Sequence, residues 1–211
     1  MTDDSWFGVT PEPVATCVYL FSRSVSKVTA NIPTSHIAVD LARTTDPSKT
    51  KIVDIFAGIG GNTIAFALSG RWEEIIAVEN DASAIACGQH NASVYGVSDK
   101  ITWVKADCFS YMTENPDIEY SKTIVFASPP WGGPGYSTDK IFNLATMQPY
   151  SLKQVYKICR LMDSALYLPR TSDLRQISKL AADGKKIDVV QYCMKGASKA
   201  LVAYIPTASV Q

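Results

Sequence analysis

Asp54-Ile55-Phe56-Ala57-Gly58-Ile59-Gly60-Gly61-Asn62-Thr63 is the stretch on which the fold turns. Ile52–Phe56 reads as a buried strand and residues 62–69 as a helix, so the glycines fall in the turn between them. Glycine there lets the backbone approach a ligand closely and presents helix N-terminal amides to it. Outward from this turn the spacing predicts strands over 75–79, 101–104, 123–127 and 165–168. Helices are predicted over 82–95, 151–162 and 173–182. Two last strands, about 186–192 and 198–205, join near Gly196 as an antiparallel hairpin. Strands alternating with helices predict a mostly parallel sheet covered on both faces.

Upstream the pattern is less regular. Thr10-Pro11 suits a helix entrance, and Val14, Val18, Phe21 and Val25 recur at helical spacing. Residues 27–50 show no clear period and are expected to be an irregular connection. The chain therefore divides into an N-terminal helical lid and connection over 1–50 and a catalytic domain over 51–211.

The glycine turn points to a nucleoside ligand. Glu79 ends the second predicted strand about 20 residues on, where a carboxylate can accept from both ribose hydroxyls. A dinucleotide fingerprint would place a third glycine where Thr63 stands, so a pyrophosphate fits less well. Asp54 would repel phosphate but accept from an ammonium group, and Asp107, closing the third strand, suits an adenine amine. Three acids at the carboxyl ends of three successive strands favour S-adenosylmethionine.

Ser128-Pro129-Pro130-Trp131 follows the fourth predicted strand. An exocyclic amine on a planar base is a poor nucleophile because its lone pair is delocalised into the ring. Acceptors that hold its N–H groups out of the ring plane restore the lone pair. The Ser128 side chain and the Pro129 carbonyl are suited to that task. Trp131 offers a stacking face, worth about 1–3 kcal/mol for a nucleobase.

Composition limits the partners. The chain has 211 residues, with 20 Lys+Arg against 20 Asp+Glu. A net charge of zero speaks against wrapping a long duplex through many phosphates. The final 61 residues nevertheless hold 10 basic and 4 acidic side chains. Lys179, Lys185, Lys186 and Lys195 within them read as solvated surface. No apolar run approaches the roughly 20 residues of a spanning helix, and the acidic start lacks the pattern of a secretory signal. Five dispersed cysteines without a CxxC predict reduced thiols and no metal site. Asn91-Ala92-Ser93 matches a glycosylation sequon, but its helical placement makes it a chance match.

DIFAGIGGNT and SPPWGGPGY, with the later LPRTSD and the N-terminal WFGVTPE, together resemble the trimethylguanosine synthase family from about Trp6 to the end, apart from residues 27–50. The resemblance implies a class I, Rossmann-like α/β fold with a seven-stranded sheet and a C-terminal antiparallel hairpin. It implies methyl transfer from S-adenosylmethionine to guanine N2 of 7-methylguanosine caps on small nuclear and nucleolar RNAs, giving 2,7-dimethyl and 2,2,7-trimethyl products. A nuclear or nucleolar setting, with the cytoplasm as an alternative, and a monomer follow from the same resemblance. In this sequence, Ser128, Pro129 and Trp131 would do the chemistry. Asp54, Gly58, Gly60, Asn62, Thr63, Glu79, Asp107, Cys108 and Thr10 would hold the cofactor. Trp131, Tyr136, Arg170 and Lys199 would hold the cap and its phosphates, with Trp6 and Phe7 in a lid. The residues alone also admit another base-amine methyltransferase, acting on adenine N6 or internal guanine N2, or a non-catalytic cap-binding module.

Overall fold

The computed structural model describes residues 33–115, 118–133, 140–194 and 197–208. The predicted helix after Thr10 and the hairpin turn at Gly196 lie outside these. The chain runs α1 (Pro33–Thr44), β1 (Lys51–Asp54), α2 (Gly61–Ser69), β2 (Glu74–Glu79), α3 (Ala82–Val94), β3 (Ile101–Lys105) and α4 (Cys108–Glu114). There follow β4 (Thr123–Ala127), α5 (Leu152–Cys159), β5 (Asp163–Pro169), α6 (Leu174–Ser178), β6 (Asp188–Met194) and β7 (Ala197–Ile205). The strands form one sheet in the order β3-β2-β1-β4-β5-β7-β6. β1 to β5 are mutually parallel, and β7 runs antiparallel to both β5 and β6.

Local sequence explains the element ends. Gly60 and Gly70 bound α2 with φ of 88° and 66°, in the left-handed region that glycine adopts without strain. Asp81 caps α3 by accepting from the Ser83 amide. Ser151 and Gln154 form a reciprocal capping box on α5. Two apolar layers sandwich the sheet, one containing Phe66, Ile52 and Phe126 and the other Val53, Met147 and Leu166.

Several expectations need correction. The supposedly irregular stretch 27–50 contains α1, whose Ile37, Ala38 and Leu41 are fully buried. The stripe is a single short one in a polar helix, too brief to announce a period. It is anchored by tertiary contacts, among them the Tyr192 hydroxyl donating to Asp40 at 2.6 Å. α4 was not foreseen, and the helices predicted over 151–162 and 173–182 are shorter than expected. Among the described residues, no helix is long and apolar enough to cross a membrane.

Candidate active site at the carboxyl edge of the sheet

β2 and β4 flank β1, so the chain order reverses across β1 and opens a crevice at its carboxyl end. The glycine turn leaves β1 there. Gly58 and Gly60 both have positive φ, 52° and 88°, which a side chain would strain. Glu79 secures the turn from β2. Its Oε2 accepts from the Gly58 amide at 2.8 Å, and its Oε1 accepts from the amides of Asn80 and Asp81. A carboxylate has about four acceptor sites, so these three bonds leave room for about one further donor, such as a ribose hydroxyl.

Asp54 lies beneath the turn. Its side chain is 1% exposed. Thr63 donates its hydroxyl to Oδ2 at 2.7 Å and the Phe56 amide donates to Oδ1 at 3.3 Å. Burial pushes the carboxyl up to about 7. Asp54 and the fully buried Thr63 therefore tie the turn to α2 from beneath. On the first turn of α2, the Asn62 Oδ1 is buried without a hydrogen-bond partner. An orphaned acceptor beside helix N-terminal amides fits an amino-acid moiety with its ammonium and carboxylate.

Asp107 caps α4, accepting at Oδ1 from the amides of Phe109 and Ser110. Its Oδ2 accepts from the Tyr150 hydroxyl at 3.0 Å. Burial and this acceptor push the Tyr150 phenol up to about 12. Tyr150 packs 4.6 Å from the Phe109 ring and 6.2 Å from that of Phe56, centroid to centroid. The three aromatics make an apolar wall beside the acid, suited to a planar heterocycle carrying an amine. The Cys108 thiol is buried in the apolar layer with Met112 and Cys159, and burial raises it to about 12. Its side chain packs the core, which leaves its main chain for contact with a cofactor.

The second motif leaves β4 next to the turn. Ser128 donates its hydroxyl proton to the Phe56 carbonyl at 3.3 Å, which keeps the oxygen's lone pairs for accepting. Pro129 is buried and Trp131 half-buried. Trp131 stacks on Tyr167 of β5, with centroids 5.6 Å apart and planes 19° from parallel. Its indole N–H points to the Tyr167 carbonyl at 3.4 Å. The β5–β7 register pairs Pro169 with Ala200, so Arg170, just after β5, and Lys199, just before Ala200 on β7, lie toward the same edge of the sheet. Both are exposed.

The structure thus gathers Ser128, Pro129, Trp131, Arg170 and Lys199 with the glycine turn, Glu79 and Asp107. Trp6, Phe7, Thr10 and Tyr136 lie outside the described residues. Sequence reasoning missed Phe56, Phe109, Tyr150 and Tyr167. Phe56 lies inside the quoted turn, whereas the other three carry no local signal that separates them from core aromatics. Among the described residues, no group of three or more His, Cys, Asp or Glu is placed to hold a metal.

Comparison with known proteins agrees with this geometry. The trimethylguanosine synthase of Schizosaccharomyces pombe is 30% identical over 203 residues, 95% of this chain and 75% of that protein. The trimethylguanosine synthase of Saccharomyces cerevisiae is 32% identical over 183 residues, so this chain spans about half of its length, 51%. In fold, the chain is similar to a SAM-dependent methyltransferase from Agrobacterium tumefaciens (TM-score 0.59, 16% identity, 87% of this chain and 64% of that one). It is also similar to human methyltransferase 10 domain containing protein (TM-score 0.58, 15% identity, 92% and 96%). The profile of the RNA cap guanine-N2 methyltransferase family matches residues 49–208. With three quarters of the chain inside that match and a crevice that fits the cofactor, the protein belongs to the RNA cap guanine-N2 methyltransferase family and is an S-adenosylmethionine-dependent enzyme.

Proposed function

We propose that the protein methylates the exocyclic N2 of 7-methylguanosine caps on small nuclear and nucleolar RNAs, giving 2,7-dimethyl and then 2,2,7-trimethyl caps, and that it acts as a monomer in the nucleus. The observation that carries this reading is the adjacency of the two turns, Ser128 bonding to the Phe56 carbonyl of the glycine turn. A base held against the second turn then lies beside a cofactor held by the first.

When bound, the cofactor supplies an electrophilic methyl group on a sulfonium. The protein's part is to prepare the amine. The Ser128 oxygen and the Pro129 carbonyl accept the N2 hydrogens, holding them out of the ring plane so that the lone pair faces the methyl carbon. Stacking on Trp131 fixes the base and, because N7 methylation makes the ring cationic, gains a cation–π component. That same charge weakens N2 as a nucleophile, so the preference for a methylated cap comes from binding and alignment. It also eases loss of the N2 proton to water once the new bond forms, and no strong base is needed. Arg170 and Lys199 suit the cap's phosphate bridge, the guanidinium offering a fork and the ammonium a point charge. No long duplex is required by this chemistry.

Incubation with labelled S-adenosylmethionine and 7-methyl-GTP tests the reading. Transfer to 7-methyl-GTP with none to GTP is expected, and mass spectrometry of the product counts the methyl groups. Equal transfer to both nucleotides would sink the proposal.

A further inference from the structure

We propose that Trp103 and Asn91, remote from the reacting atoms, are positioning residues for cofactor binding that hold the Gly58–Gly60 loop from the α3 side. The proposal rests on the assignment of that loop as the cofactor site. Three separate contacts converge on it. Gly58 is held through its amide by Glu79. Ile59 is held through its carbonyl, which accepts from the Asn91 side-chain amide at 3.0 Å across 32 residues of sequence. Gly60 is held by shape: a Cβ there would meet Trp103 Cη2 at 3.0 Å, already tighter than ordinary contact.

The other side of the Trp103 ring is equally close-fitting. Gly88 lies buried in the middle of α3, where glycine is a poor helix former. A Cβ at that position would overlap the six-membered ring of Trp103. The indole is therefore wedged between α3 and the loop, and α3 gives up a side chain to seat it. Asn91, one turn further along the same helix, reaches the adjacent loop residue. This contact also accounts for Asn91 in the sequon-like triplet: its amide is committed inside the molecule.

The loop recognises its ligand through main-chain groups, which cannot adjust independently of the backbone. A backing that fixes the backbone therefore fixes affinity. Packing alone would lower stability when removed, and would not single out one substrate. The proposed role predicts selectivity, an increase in the KM for S-adenosylmethionine while the KM for the cap analogue stays unchanged.

The test compares Trp103→Leu, Asn91→Ala and Gly88→Ala, together with Glu79→Ala as a control. It measures both KM values with 7-methyl-GTP, and titrates S-adenosylhomocysteine directly so that cofactor affinity is read without turnover. Trp103→Leu is expected to weaken cofactor affinity about ten- to a hundredfold, and Asn91→Ala roughly three- to tenfold. Gly88→Ala weakens it by displacing the indole, and adding Trp103→Leu makes this no worse than Trp103→Leu alone, because the new Cβ occupies vacated space. Should Trp103→Leu prove insoluble, Asn91→Ala decides. Variants in which both KM values move together, or in which S-adenosylhomocysteine binds as in the parent, overturn the proposal. If Glu79→Ala also binds it as in the parent, the loop assignment itself falls; if only Glu79→Ala loses binding, the backing role alone falls.

Discussion

The turn after β1 and the turn after β4 lie side by side, yet they are built differently. The first is fastened residue by residue: Gly58 to Glu79, Ile59 to Asn91, and Thr63 to Asp54 beneath. The second is fixed by the buried Pro129 and by an aromatic stack, Trp131 on Tyr167, with the exposed cations Arg170 and Lys199 beyond it. The difference suits what each turn is proposed to recognise. A cofactor held on the amides of the first turn, and on side chains such as Glu79 and Asn62 that are set by it, needs that backbone fixed in advance. The cap proposed for the second turn, a cationic purine with a phosphate chain, would meet side-chain faces and charges, which need placement but less main-chain precision.

Substitutions on either side can break or sharpen this contrast. The largest effect is expected from Trp131→Ala: methyl transfer to 7-methyl-GTP falls roughly a hundredfold, the upper range for one stacking aromatic, while calorimetric binding of S-adenosylhomocysteine is unchanged. Retained turnover would remove the division of labour. Next comes Glu79→Ala, which strips a charged acceptor from three amides. Cofactor affinity should drop about thirtyfold with the KM for the cap analogue unaltered. Smaller again is the loss at the phosphate end. Arg170→Ala or Lys199→Ala should raise the KM for 7-methyl-GTP about fivefold and leave that for the 7-methylguanosine nucleoside alone. An equal effect on both ligands would move these cations out of the phosphate site.

The smallest expected effect concerns stability. Burial raises the Asp54 carboxyl to about 7, so the folded chain binds that proton more tightly than the unfolded one. This contribution is fully present below the unfolded value near 4 and is lost as pH rises toward 7. Asp54→Asn should therefore gain in melting temperature relative to the parent by a few degrees between pH 4 and 7. A constant gap across that range would show that the carboxyl is not buried as described.

Legibility tracked the same contrast. The strand–turn–helix at Asp54–Thr63, the Thr123–Ala127 strand and the Ser128–Trp131 motif were readable because glycine, proline and β-branched runs impose local conformation. α1 was not, since its buried face comprises Ile37, Ala38 and Leu41 and depends on packing against α2 and on Tyr192. The acids were found, but the contacts they make within the protein were not. Asp54 and Thr63 bind each other, and Asp107 caps α4 while accepting from Tyr150. Nothing in a linear pattern distinguishes a carboxylate that meets a ligand from one that braces the loop meeting it.

The sequence by itself determined the fold class, the two turns and the chemistry they suit, because those depend on which residues permit a backbone path and which carry a given group. Only the tertiary structure decided which groups stand behind the site. Asn91 and Trp103 reach the glycine turn, and Tyr167 reaches Trp131, across tens of residues of chain. Such contacts arise when separate elements pack, and packing brings together residues whose spacing in the chain carries no period.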